Sequence, residues 1–199
     1  MLLAIDTTTP ACSVALVDGD RLIDERHELV GRGHAERLLP LIEALLGDRR
    51  PRGILVDCGP GSFTGLRVGL AAAHGLAIGW GVPLAGYSSL ALLAVNVQEE
   101  EMAIALQAGH GEIFVQSFGG EPLAARDAMQ SLTPADAACA ISAQLVIGSG
   151  AQALVDARGH GRAVDALPRA GDVRLLPEPL RTLPPRPIYG RAPDAKPMP

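Results

Sequence analysis

The chain opens Met1-Leu2-Leu3-Ala4-Ile5-Asp6-Thr7-Thr8-Thr9-Pro10-Ala11-Cys12-Ser13-Val14-Ala15-Leu16-Val17-Asp18-Gly19-Asp20-Arg21, two short apolar runs with a polar turn after each. Met1 to Asp6 reads as a strand and Cys12 to Val17 as a second. Asp18-Gly19-Asp20 is a hairpin signal, because a tight turn needs a residue that tolerates a left-handed backbone. Arg21 to Glu28 continues as a third strand. The reading is a three-stranded antiparallel meander.

Helices and strands then alternate. Gly31-Arg32-Gly33 interrupts the chain, and a helix runs from His34 to Leu46 with Gly47 as its stop. Gly53 to Cys58 holds Ile54-Leu55-Val56 without polar alternation, the mark of a strand buried on both faces. Gly59-Pro60-Gly61 is a tight loop, and a second helix starts at Ser62 or Phe63 and reaches Trp80. Val82 to Tyr87 is extended. Ser88 or Ser89 caps a third helix through Val97. The pattern then recurs: Met102 to Gln107 repeats the first strand, Glu112 to Phe118 the second, and Gly119-Gly120 stands where the first hairpin had its turn. Leu145 to Gly150 repeats the strand and glycine turn, followed by another helical stretch. Such self-similarity indicates a duplicated β-β-β-α-β-α unit in an α/β protein. The expected units are 1–98, a reduced second copy over 99–183 with the boundary in the charged run Gln98 to Glu101, and a Pro-rich tail over 184–199. Nine of the sixteen prolines lie from Pro168 onward, so that end reads as extended or disordered, with a short helical element between Leu175 and Leu183.

Composition limits the function classes. Of 199 residues, 48% are apolar and 20% charged, which supplies a core and excludes wholesale disorder. Net charge is −5, against an autonomous nucleic-acid binder. Cys12, Cys58 and Cys139 have no metal or redox spacing and read as small buried apolar residues, in keeping with a reducing cytoplasm. No signal-peptide pattern and no membrane-length apolar run is read. None of the five histidines makes an H-E-x-x-H pair, and no G-x-S-x-G elbow occurs, which leaves a peptidase without machinery. The histidines read as surface or capping residues; His34 reads as part of the turn that leads into its helix.

Two motifs carry candidate chemistry. Asp6, Thr7 and Thr8 end the first strand, where hydroxyls and backbone amides can meet phosphate oxygens and a carboxylate can meet metal-bound water. Asp and Thr end strands and shape turns equally well. The second is the nonapeptide Gly59-Pro60-Gly61-Ser62-Phe63-Thr64-Gly65-Leu66-Arg67. Glycines before a helix N-terminus allow close approach or anion binding, but the spacing is neither a Walker loop nor G-x-G-x-x-G. Gly59, Gly61, Ser62, Thr64 and Arg67 are its candidate functional positions.

Ala4-Ile5-Asp6-Thr7-Thr8, Ala11 to Leu16, His34-Ala35-Glu36-Arg37-Leu38-Leu39-Pro40 and the nonapeptide together resemble the TsaB (YeaZ) family of bacterial tRNA threonylcarbamoyladenosine biosynthesis proteins. The tail from Pro187 to Lys196 is similar to that family's ending. The likeness is strong over residues 1–95 and patchy beyond. It implies a two-lobed actin/Hsp70/sugar-kinase (ASKHA) fold with ribonuclease H-like cores. It also implies a non-catalytic partner of a paralogue, TsaD, which transfers the threonylcarbamoyl group to the adenosine beside the tRNA anticodon. A small ATPase, TsaE, joins them, and tRNA is met only through the complex. No catalytic residue, no metal site and no required cofactor is expected; ATP or ADP with Mg2+ is what a site shared at the complex interface would take. An independent ATP-dependent kinase or ATPase is the rival, and it needs a carboxylate on both hairpins. If Gln107 matches Asp6 in the repeat, the second is neutral; Gly109 stands where the family often has Arg.

The helix faces point to a partner independently. On a helical wheel, the apolar arc of His34 to Leu46 exceeds what one contact requires. Thr64 to Trp80 is apolar nearly all round and thinned by Gly65, Gly69 and Gly75. Arg67, Ala71, His74 and Ile78 share one face. Leu38, Leu41, Leu45, Leu70, Ala71, His74, Ala77 and Ile78 are the expected partner-binding set. Alone, the same surface would pair with itself in a homodimer.

Overall fold

The fold is described from a computed structural model covering residues 1–97 and 99–190. The first half runs β1 (Leu2–Asp6), β2 (Ala11–Asp18), β3 (Arg21–Leu29), α1 (His34–Leu46), β4 (Ile54–Asp57), α2 (Phe63–Trp80), β5 (Leu84–Tyr87) and α3 (Ser89–Ala94). The second half runs β6 (Glu101–Gly109), β7 (Glu112–Gly119), β8 (Ala124–Ala125), β9 (Gln130–Leu132), α4 (Pro134–Ala140), β10 (Leu145–Ile147), α5 (Ala151–Arg158) and β11 (Arg162–Val164). Short 3-10 turns follow at Ala170–Leu175 and Glu178–Leu180. Gln98, in the expected boundary, and 191–199 of the expected tail lie outside the described residues.

The two sheets share one topology. The first has the order β3-β2-β1-β4-β5 and the second β8-β7-β6-β10-β11, with β9 also on β7. In both, the first two strands are antiparallel and the later strands join parallel beside the first. The duplication read from the sequence is therefore a duplication of strand order. The repeat is shortened where β8 and β9 replace one long third strand.

Alternation along the strands divides the core into three. Leu3, Ile5, Val14 and Leu16 face α1 and α2 with Leu38, Leu41 and Leu45. Ala103, Ala105, Val115 and Val146 face α4 and α5. Between the sheets lies a third cluster, where Ala4, Ala15 and Leu55 meet Met102, Ile104, Leu106 and Ile147, with α3 packed among them. A chain with only 3% aromatic residues fills this volume with aliphatic side chains.

The segment after β11 returns to the first half. Ala170, Val173 and Leu176 enter the core between the sheets, and Ser13 Oγ accepts the Ala170 N–H at 2.9 Å. Leu183 and Gly86 exchange both backbone hydrogen bonds, at 2.7 and 2.9 Å, at the edge of β5. The Ile188 N–H donates to the Cys58 carbonyl at 2.7 Å, and Gly190 lies against the Phe114 ring of β7. The described part of the tail is thus a strap from one sheet to the other.

Two expectations need correction. Cys12 and Cys58 are buried, and burial pushes their thiols up to about 11 and about 12, but Cys139 is exposed. It sits on α4, whose Ala137 alone is buried, so the small residue turns to solvent. The third helix stops at Ala94 rather than Val97. Among the described residues, no helix is long and apolar enough to cross a membrane.

Candidate functional site

The two sequence motifs meet. The β1–β2 turn, Thr7 to Pro10, lies under the loop that leads from β4 into α2. Ser62 N–H donates to the Thr8 carbonyl at 2.6 Å, and Thr7 Oγ1 donates to the Gly65 carbonyl at 2.7 Å. A Cβ on Gly61 would collide with the Thr8 backbone, and one on Gly65 with the Thr7 carbonyl. The glycines are thus there for close approach of the chain to itself, and Ser62 caps α2 by accepting the Gly65 N–H.

Asp6, Thr7 and Thr8 are almost wholly buried, at 1%, 1% and 2% exposed. The two threonine hydroxyls and the Thr8 carbonyl are taken by Asp57, α2 and its lead-in. The turn therefore does not fit a phosphate or a nucleotide-bound Mg2+, which would need those groups turned outward. Among the described residues, no cluster of three or more His, Cys, Asp or Glu side chains could hold a metal ion.

Asp57 was not singled out by sequence reading. It ends β4, one residue before Cys58 and the nonapeptide, and is 2% exposed. Its carboxylate accepts the Gly59 N–H at 2.8 Å and the Thr8 hydroxyl. Its alternation with Leu55 turns it toward Asp6. A polar residue closing an otherwise apolar buried strand was the available signal. Burial pushes Asp57 up to about 6, and burial plus the Asp57 charge hold Asp6 well above the usual carboxylate range.

The second hairpin carries no equivalent carboxylate. Asp57 ends β4 opposite Tyr87 and Ile147 ends β10 opposite Val164, and in each case the next N–H, of Cys58 or Gly148, donates to that partner's carbonyl, which makes Asp57 and Ile147 corresponding positions. Ile5 pairs with Val56, one residue before Asp57, and Ala103 pairs with Val146, one residue before Ile147, so the counterpart of Asp6 is Ile104. The expected match, Gln107, lies three residues further on, on the opposite face of β6. The position is apolar as well as neutral.

His34 is corrected from a turn residue to a buried clamp. Its Nε2–H donates to the carbonyls of Thr9 at 2.8 Å and Ala11 at 3.2 Å, tying α1 to the β1–β2 turn.

The expected partner-binding set divides in two. Leu38, Leu41, Leu45, Leu70 and Ala77 are buried in this chain's own core, at 1%, 4%, 0%, 6% and 8% exposed. The wide apolar arc of α1 is consumed because the helix packs on β2 and β3 and also on α2. Ala71, His74 and Ile78 are exposed, Ile78 at 82%, and Gly75 and Gly79 lie beside them. Leu39, Leu46, Leu76 and Trp80 line a groove of about 430 Å³ between α1 and α2. Thr64 and Arg67 are exposed at the start of α2. The Arg67 guanidinium lies 3.5 Å over the Phe63 ring, and Phe63 stands 5.9 Å from Tyr189 of the strap. His74 Nε2–H donates to the Pro185 carbonyl at 3.1 Å.

Two twisted sheets of identical strand order around a shared core define the duplicated actin-like (ASKHA) class. Solved structures agree: EutJ from Carboxydothermus hydrogenoformans shares the fold, with a TM-score of 0.51 over 88% of this chain and 89% of that one, at 12% identity. YeaZ from Pseudomonas aeruginosa matches with a TM-score of 0.75 at 30% identity, over 87% of this chain and 89% of its own. The family model "TsaD: tRNA N6-adenosine threonylcarbamoyltransferase" matches residues 27–152. The tRNA threonylcarbamoyladenosine biosynthesis protein TsaB of Escherichia coli is 37% identical over 122 residues, 57% of this chain and 52% of the relative. The match thus spans about half the length of that relative. The chain belongs to the TsaB (YeaZ) family.

Proposed function

We propose that this chain is a non-catalytic partner subunit for threonylcarbamoyl transfer to the adenosine beside the tRNA anticodon, and that it binds and activates a TsaD-like catalytic paralogue. The observation that carries the reading is the outer face of α2. Ala71, Gly75, Ile78 and Gly79 form a slim apolar stripe beside the groove between α1 and α2, on a helix whose opposite side is already buried. Small residues let another helix cross closely, and an exposed apolar stripe of this kind favours a protein contact. The closed Asp6–Thr8 turn and the apolar Ile104 position support a role without catalysis.

In this reading residues 1–98 carry the partner-binding face. A TsaE-like ATPase joins the pair, and tRNA is met only through the assembly, in keeping with a net charge of −5. ATP or ADP with Mg2+ would bind at the interface rather than in the β1–β2 turn. Alone, the chain pairs with itself through the same stripe, in the cytoplasm.

The test is co-expression with a TsaD-like paralogue carrying an affinity tag. Co-purification of the wild type, lost for Ile78→Glu while that variant stays folded, supports the reading. Equal recovery of wild type and Ile78→Glu moves the interface elsewhere; no recovery of either ends the proposal.

A further inference from the structure

Asp6 and Asp57 face each other at the ends of adjacent parallel strands, both nearly inaccessible to water. Asp57 has donors: the Gly59 N–H and the Thr8 hydroxyl. Asp6 Oδ1 accepts the Thr8 N–H at 3.3 Å, but Asp6 Oδ2 is buried with no donor among the described residues. Its neighbour is the Asp57 carboxylate, another acceptor. Two buried anions in contact, with no cation among the described residues to pair them, are unfavourable; one proton between them removes both the charge repulsion and the orphaned oxygen.

We infer that Asp6 and Asp57 share a proton, with Asp6 Oδ2–H donating to the Asp57 carboxylate, and that this proton fastens the lead-in of α2 to the β1–β2 turn. Asp57 grips both sides at once: Thr8 in the turn and Gly59 in the lead-in. The proton completes the grip by neutralising Asp6. The outer face of α2 then takes its position from a charge state as well as from apolar packing.

The surrounding groups leave the pair to satisfy itself. Cys12 on β2, Cys58 after β4 and Tyr87 on β5 are the titratable side chains that sense the pair. None is cationic. The Tyr87 hydroxyl is committed to the Ile5 carbonyl at 2.8 Å, and the His34 ring to Thr9 and Ala11. The raised carboxyls of both residues agree with the geometry.

The sign follows from linkage. Each carboxyl has a folded pKa above its unfolded value, so the folded chain holds more protons than the unfolded one. Stability from the pair is full below the unfolded pKa and is lost as pH rises through the folded values. Asp57 gives up its proton near about 6, and Asp6 later. His27 opposes this, because burial lowers its pKa and favours folding as pH rises. The pair must therefore be read as a difference from a variant that keeps His27.

The experiment is urea unfolding of the full chain and of Asp6→Asn and Asp57→Asn, over about pH 5 to 9. The amide introduced by Asp6→Asn gives Asp57 a permanent N–H donor. Relative to Asp6→Asn, the wild-type ratio of folded to unfolded chain should fall toward about tenfold per pH unit above about pH 6. Carbon-13 NMR of the aspartate carboxyls in the wild type, which needs no variant to fold, should show one of the pair protonated at neutral pH. Parallel pH profiles for wild type and Asp6→Asn would overturn the inference, as would two ionised carboxylates at neutral pH. Added Mg2+ that stabilises the wild type but not Asp6→Asn would also overturn it, putting a cation where we place the proton.

Discussion

The carbonyl of Thr8 accepts the Ser62 N–H at 2.6 Å, and this bond joins the first turn of the chain to the first turn of α2. Residues far apart in sequence, each plausible alone as a ligand loop, are one another's partners. The glycines of the nonapeptide permit that contact. Their role is steric, and it makes the region sensitive to added atoms rather than to lost ones.

Gly65→Ala should therefore destabilise strongly although alanine favours helix. The new methyl meets the Thr7 carbonyl, a backbone atom that cannot step aside. Overpacking of this kind costs about 1–3 kcal/mol or more, against roughly 1 kcal/mol gained in helix propensity. Gly75→Ala, with open space at its Cβ position, should be neutral or stabilising. Thermal melting of the two variants checks the contrast.

Leu41→Asp and Ile78→Glu should separate folding from association. Leu41 is core, so a carboxylate there is buried without a partner and should cost about 4 kcal/mol or more. Ile78 is mostly in water, so glutamate there should change stability by less than about 0.5 kcal/mol. If the α2 stripe is the interface, Ile78→Glu should still weaken pairing by about tenfold or more. Circular dichroism and sedimentation of both variants give the two readouts.

His34→Phe should cost about 1–3 kcal/mol, because it preserves a ring but leaves two buried carbonyls without their donor. His34→Gln, which can offer an N–H from a similar reach, should recover part of the loss. Urea midpoints distinguish the two.

Removal of residues 184–199 should lower stability by about 2–3 kcal/mol. It loses the Ile188 N–H to Cys58 bond and the partly buried Ile188 side chain. It also frees Phe63 and Arg67 from Tyr189 and His74 from Pro185. Faster amide exchange at the start of α2, in a chain that remains folded, is the expected signature.

Long elements were legible because their signals are periodic. The limits of His34–Leu46 follow from an apolar period that ends at a glycine, those of Phe63–Trp80 from a long apolar run between a glycine loop and Gly81, and the opening meander follows from its hairpin turn. Short elements of the second half were not. Gln130–Leu132 and Arg162–Val164 are three residues each, too short to show a period, and take their form from the strands beside them. The Pro134–Ala140 helix did carry a local mark, with Thr133 accepting the Asp136 N–H and proline at the first turn.

The amino-acid sequence by itself determined the repeated strand–helix pattern, the glycine-lined approach to α2 and the kinship with the TsaB (YeaZ) family. Each is a matter of which residues follow one another. Only the tertiary structure decided which apolar faces were spent: α1 packs on both a sheet and a helix, so Leu38, Leu41 and Leu45 lie inside, while Ile78 lies outside. It also brought Asp57 to Asp6, since parallel pairing of β1 with β4 joins residues far apart along the chain, which no local periodicity encodes.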